Sequence, residues 1–203
     1  MITAQDLEEV GPGTFVWHSY DPIVRADLFS TALHTGLGTY IVDPIPIDPQ
    51  LRIQLEANRK VAGIVATNTN HARSAAEFAE FFSVPLFVHP TLAGTTDFPN
   101  ATAVNNNEIG RDLASIMIDG APDGEMALFH GEGEGTMVIG DALINFRAAG
   151  LEVLPAKYCR NARLMRRSLE RLFDYRFERM LFAHGIPILQ GARDQLERLL
   201  QKR

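Results

Sequence analysis

The stretch VAGIVAT, residues 61–67, admits few folds. A strand with one wet face alternates apolar and polar side chains, whereas this one is apolar at almost every position, so both of its faces must be covered. After a polar loop, TNTNHAR (67–73), the chain from Ser74 onward sets Ala75, Phe78, Ala79 and Phe82 on one stripe of an amphipathic helix. A buried strand that feeds a covering helix is the unit from which layered α/β domains are built.

The same grammar recurs along the chain. TFVWHSY (14–20), DLFSTAL (27–33) and TYIVDPI (39–45) carry β-branched and aromatic residues between Gly, Pro and Asp, and read as consecutive strands. DPQLRIQLEANR (48–59) reads as a helix with Asp48 as N-cap and Pro49 in the first turn. In the second half, PLFVH (85–89), TAVN (102–105), LASIMID (113–119), EMALFH (125–130), GTMVIGD (135–141) and RMLFAHG (179–185) are strand-like. Helices are expected from about Asn161 to Phe173 and over 191–201, and GEGEGT (131–136) reads as a hairpin turn. Two runs of strands, each closed by helices, suggest two sheets packed face to face with helices outside. The expected fold is therefore a four-layer αββα sandwich in one domain, residues 1–203.

Composition narrows the functional classes. A chain of 203 residues that is 46% apolar buries a sizeable core, and no apolar run approaches the twenty or so residues of a membrane span. The first residues, MITAQDLEEV, lack the basic and apolar regions of a secretory leader, and a lone Cys159 forms no internal disulfide, so a reducing, cytoplasmic location is expected. A formal charge of −6 opposes general attraction to nucleic acid. The one basic stretch, Lys157 to Arg179, reads mainly as a solvated helix face. Cys159 reads as an inert thiol, and His18 and His34 as ordinary strand residues.

The loop after VAGIVAT and the dipeptides Gly140-Asp141 and His184-Gly185, each closing a strand, resemble in order and context the metallo-β-lactamase-like hydrolases, a superfamily that includes glyoxalase II. The resemblance covers most of the chain and implies that family's αββα fold. It also implies where the family's dinuclear metal site would lie. Aligned on Thr67, Asn68 and Asn70 stand where the family has its first two histidines, Ala72 at its aspartate, Arg73 at its third histidine and Ala121 at the next. Only Asp141, the bridging carboxylate, and His184, the last histidine, match.

Asn offers a weak neutral oxygen, Ala nothing, and Arg a fixed cation, so these replacements damage both the metal and the group that would deprotonate water. The resemblance with these losses implies a pseudo-hydrolase without cofactor. Its former cleft, formed by Asn68, Asn70, His71, Ala72, Arg73, Ala121, Asp141 and His184, would bind a small polar or anionic ligand or a partner. A direct or one-water contact between Arg73 and Asp141, with the guanidinium in place of the metal charge, is expected beside His184. The alternative is a hydrolase with a remodelled mononuclear zinc site built from Asp141, His184 and His71. No nucleic acid or membrane partner is expected on either reading.

Overall fold

The computed structural model describes residues 2–57, 59–104, 108–146 and 148–201. The first sheet begins as a meander: β1 (Glu8–Gly11), β2 (Thr14–Asp21), β3 (Ala26–Thr35) and β4 (Gly38–Val42) pair antiparallel in sequence order. Helix α1 (Pro49–Ala57) then returns the chain to β5 (Val61–Val65), which lies parallel to β4. A 3₁₀ turn (Thr69–His71) and α2 (Ala75–Phe82) lead to β6 (Leu86–Val88), and β7 (Thr102–Ala103) closes the sheet, again in parallel.

The second sheet holds β8 (Glu108–Ile109), β9 (Leu113–Met117), β10 (Met126–His130) and β11 (Thr136–Ile139), all antiparallel. A separate hairpin, β12 (Leu143–Phe146) and β13 (Gly150–Val153), follows. Helix α3 (Ala162–Leu169) precedes β14 (Arg179–Phe182), which adds parallel to β11, and α4 (Ala192–Gln201) ends the described chain.

Strand alternation sorts the apolar side chains into three buried groups. Between the sheets lie Val16, Leu33, Tyr40, Val42 and Val65 from the first, against Leu113, Met126, Leu128, Val138 and Leu181 from the second. The opposite face of the first sheet, with Trp17, Ile41 and Ile64, is covered by Phe78 and Phe82 of α2. The opposite face of the second, with Ile116, Ala127, Met137 and Ile139, is covered by Met165 and Leu169 of α3 and Leu196 of α4. These are the four layers expected, and β5 is apolar at every turn because Ile64 and Val65 bury on opposite sides.

Several details depart from the expectation. The segments at 85–89 and 102–105 belong to the first sheet, because parallel crossovers extend it beyond β5. The helix expected to reach Phe173 is α-helical only to Leu169 and continues as a 3₁₀ segment, Glu170–Asp174. Strands β1, β12 and β13 are four residues each, too short and too exposed to carry a clear alternation. Asn58 and Asn105, at the ends of an expected helix and strand, lie outside the described residues. The basic stretch is solvated only in part: Arg160 pairs with Asp123 and Arg171 with Asp119 at the surface, whereas Arg166, half-buried, donates to the last carbonyls of α4 and Arg179 is mostly covered.

Because Leu33 is fully buried between the sheets, Leu33→Ala is expected to cost about 2–5 kcal/mol in urea unfolding. Ile53→Ala, on the exposed side of α1 where that side chain is 60% accessible, should stay within about 0.5 kcal/mol. Equal losses at the two positions would contradict the layer assignment.

Candidate metal centre

Four strand ends meet at one edge of the sandwich. Asp43 follows β4, the loop Thr67–Arg73 follows β5, Asp141 follows β11 and His184 follows β14. β4 runs parallel to β5 and β11 to β14, so the carboxyl ends of both pairs open at the same edge, where α/β folds place their ligands.

Asp43 organises the loop. Its carboxylate is buried and its backbone sits at φ 50°, a strained position for a non-glycine residue. Oδ1 accepts from the Thr67 amide at 2.8 Å, and Oδ2 accepts from the Thr67 hydroxyl at 2.6 Å. Oδ2 also stands 2.9 Å from His71 Nδ1, which is 2.8 Å from Thr67 Oγ1. Nδ1 of His71 therefore carries a proton, and the ring's other nitrogen is aimed at Asp141.

Asp141 is held from one side and left open on the other. Its Oδ2 accepts from Asn70 Nδ2 at 2.9 Å and from Asn68 Nδ2 at 3.2 Å. Its Oδ1 faces two imidazoles, with His71 Nε2 and His184 Nε2 each 3.3 Å away. Gly140 is required before it, since a Cβ there would stand 2.5 Å from Thr67 Oγ1 and 2.9 Å from the Glu125 oxygens. Glu125 lies behind, buried, accepting from Asn68 Nδ2 at 2.6 Å and from the Ala142 amide at 2.9 Å.

Arg73 does not make the direct contact with Asp141 that the sequence suggested: no ion pair within 4.0 Å joins them among the described residues. Its guanidinium donates instead to the carbonyls of Phe29 (3.0 Å) and Asp43 (3.3 Å) and reaches His184 Nε2 at 3.3 Å. Asn68 and Asn70 bond to Asp141 rather than to Arg73. An arginine only donates, so His184 Nε2 carries a lone pair and no proton for Asp141, and that single lone pair goes to Arg73 unless a metal takes it.

The protonation states follow from these neighbours. Burial and Arg73 oppose a charge on His71, but Asp43 and Asp141 outweigh them and raise its pKa to about 9. Burial, seconded by the charge on Asp141, pushes Glu125 up to about 8 against the hydrogen bonds it accepts. Asp141 stays well below the carboxylate range: burial works against it, and the positive charge on His71 prevails. Burial drives His184 below the ordinary imidazole value.

The donor set fits a single divalent ion. One ligand atom from each of His71, Asp141 and His184 lies within 4.8 Å of the other two. His71 Nε2 is buried without a hydrogen-bond partner, although it lies at ion-pair distance from a carboxylate. Donors bound at about 2.0–2.1 Å in a tetrahedron stand roughly 3.3–3.4 Å apart, which is the spacing of both rings from Asp141 Oδ1; the set as a whole spans up to 4.8 Å, so the two rings draw together for both to reach one ion. Asp43, on the far nitrogen of His71, is the kind of carboxylate that commonly orients a ligating imidazole from behind.

Of the residues expected at the cleft, Asn68, Asn70, His71, Arg73, Asp141 and His184 come together, whereas Ala72 packs on the first outer core and Ala121 is buried in the second. His89 bonds to Thr91 and His130 lies elsewhere on β10, so neither joins the cluster. Burial raises the Cys159 thiol pKa, in keeping with an inert cysteine. Glu125 was not singled out from the sequence, and Asp43 was read only as the acid closing a family-like apolar strand, not as a site residue. Their signal was an acid closing an apolar strand in IVDP and one opening a strand in EMALFH.

A model of the metallo-β-lactamase superfamily matches residues 8–202. The DIM-1 metallo-β-lactamase superposes with a TM-score of 0.74 at 14% identity, covering 98% of each chain. A metallo-β-lactamase from Pontibacter korlensis gives 0.71 at 13% identity over 98% of this chain and 99% of that one. A metallo-β-lactamase family protein from Thermus thermophilus gives 0.67 at 20% identity over 95% and 80%. Comparison with curated proteins returned no match. At these identities the superpositions speak for the fold.

The shifts give a pH dependence for chelator-treated protein. His71, with its folded pKa raised, adds stability that is complete below about 6.5 and lost as pH rises through about 9. Glu125 is also raised, so the folded state holds a proton that the unfolded state has released, and stability falls as pH climbs toward about 8. Both act in one direction between pH 6.5 and about 8, and His71 alone carries the fall on to about 9. Urea unfolding is expected to show falling stability across that window and a shallower slope in His71→Gln; a flat or rising profile would contradict the assigned charges.

Proposed function

The chain belongs to the metallo-β-lactamase superfamily, and from that premise we propose that it is a hydrolase of that fold working with one divalent metal, held by His71, Asp141 and His184. The observation that carries this reading is the unpartnered, buried Nε2 of His71, aimed with two other donors at a common point. Such an ion supplies Lewis-acid polarisation of a substrate oxygen. The chain's own residues do the rest. Asp43 fixes the His71 ring, Asn68 and Asn70 occupy Asp141 Oδ2 so that only Oδ1 is free, and Arg73 adds a fixed positive charge beside His184.

A cavity of about 330 Å³, lined by Gly185, the neighbour of His184, but by none of the three ligand side chains themselves, supports a substrate class. Gly185 and Phe29 line it on the side of the cluster, Val16 and Ile186 give it apolar walls, and Glu8 and Asp27 add two carboxylates. That lining repels an anion and suits a neutral or cationic molecule with an apolar body.

A second reading rests on charge. With His71 protonated, Asp43 and Asp141 are matched by His71 and Arg73, so the cluster is neutral without any metal. On that reading the protein is a pseudo-hydrolase whose cavity binds a ligand.

Elemental analysis separates the two. Protein incubated with zinc and then desalted is expected to retain about one equivalent, and His184→Ala and Asp141→Asn to retain little. Asp43→Asn should lower zinc affinity about 10–100-fold, as loss of the partner behind a ligating imidazole does. Amine-bearing esters or amides should be hydrolysed in a zinc-dependent manner. Wild-type protein that retains no zinc would overturn the proposal and favour the metal-free reading.

A further inference from the structure

A second polar cavity, of about 300 Å³, lies at the other end of the strands that lead to Asp141 and His184. His130, Thr136 and Arg179 sit side by side on three adjacent strands, since His130 pairs with Thr136 across β10 and β11 and Thr136 with Arg179 across β11 and β14. Thr14 reaches it from β2 of the facing sheet. Five residues separate Thr136 from Asp141 and Arg179 from His184, so at roughly 3.3 Å per residue the cavity is some 16 Å from the metal centre.

The hydrogen-bonding capacity here is unspent. The His130 side chain is only 8% exposed, and its nearest partner is Glu132 Oε2 at 3.7 Å, beyond hydrogen-bond range. The Arg179 side chain is 14% exposed and packs on Gly11, with Glu134 Oε2 also at 3.7 Å. Neither side chain makes a hydrogen bond among the described residues, and neither do the hydroxyls of Thr14 and Thr136, both buried residues. A guanidinium carries five N–H donors, and those of Arg179 open to the cavity, where an acceptor that enters can take them.

The rim has the opposite sign. Glu132 lines the mouth and Glu134 stands two residues on in the same turn between β10 and β11, beside Arg179, with side chains 71% and 68% exposed. Burial keeps the His130 ring toward its neutral form, which leaves one positive charge on the floor and two negative charges at the mouth. A simple anion satisfies Arg179 but is repelled by both acids. A simple cation satisfies the acids but competes with Arg179 for Glu134 and leaves the guanidinium donors without an acceptor.

We propose that this cavity binds a small zwitterion of the free amino acid class, its carboxylate against Arg179, Thr136 and Thr14 and its ammonium against Glu132 and Glu134. Both ends of such a molecule meet a complementary group, and a cavity of this size encloses little more than one. The site is independent of the metal centre and of any reaction there.

The test uses the full chain after chelator treatment, so that chelation of a metal by the probe does not mimic binding. Ligand-observed NMR and thermal melting would compare alanine, serine and leucine with their amines (ethylamine, ethanolamine, isoamylamine) and their acids (propionate, 3-hydroxypropionate, 4-methylpentanoate). At least one amino acid is expected to bind and raise the melting temperature, with its amine and its acid at least tenfold weaker. Arg179→Lys should weaken that amino acid at least tenfold. The surface double variant Glu132→Gln with Glu134→Gln, which leaves the core untouched, should erase its advantage over the matching acid. Absence of binding by all three amino acids, an acid or amine that binds as well as its amino acid, or a double variant with unchanged preference would overturn the proposal.

Discussion

The buried carboxylate of Asp43 is the constraint on which the rest of the site depends. It ties the end of β4 to the start of the loop after β5 through two bonds to Thr67, and it fixes the His71 ring through Nδ1. An isolated buried carboxylate is costly, and here three donors compensate it. The strained backbone at φ 50° persists because those bonds hold it. Once the ring is fixed, its Nε2 has no hydrogen-bond partner, and that unsatisfied atom gives the cluster its chemical meaning.

The losses in the TNTNHAR loop thus look different in three dimensions. Asn68 and Asn70 are hydrogen-bond donors to Asp141, and Asn68 links that residue to the buried, proton-holding Glu125. Arg73 anchors to two backbone carbonyls and places its charge beside His184. His71, one position away from the expected ligands, turns inward and supplies a third donor. On the proposed reading, the loop keeps one coordination pocket where the resemblance implied two.

The four layers were legible because β5 is apolar on both faces and α2 carries a clean stripe, Phe78 and Phe82 among it. Short edge strands such as β1 were not, since half-exposed residues give no alternation. No helix among the described residues is long and apolar enough to cross a membrane, as composition implied. At the site, Asp141 and His184 were readable from Gly-Asp and His-Gly in order along the chain. The partners of Arg73 were not, because a backbone carbonyl such as that of Phe29 leaves no mark in sequence. Nor was the role of Glu125, since an acid at the head of an apolar strand looks the same whether it faces water or a neighbouring carboxylate.

The central claim is the position of one ion among three side chains. Anomalous diffraction at the zinc absorption edge, from crystals grown with zinc near neutral pH, tests it most directly. The account predicts a single strong peak within about 2.0–2.2 Å of His71 Nε2, Asp141 Oδ1 and His184 Nε2. An empty cluster with zinc bound elsewhere, or His71 hydrogen-bonded to Asp141 with no peak between them, would contradict it.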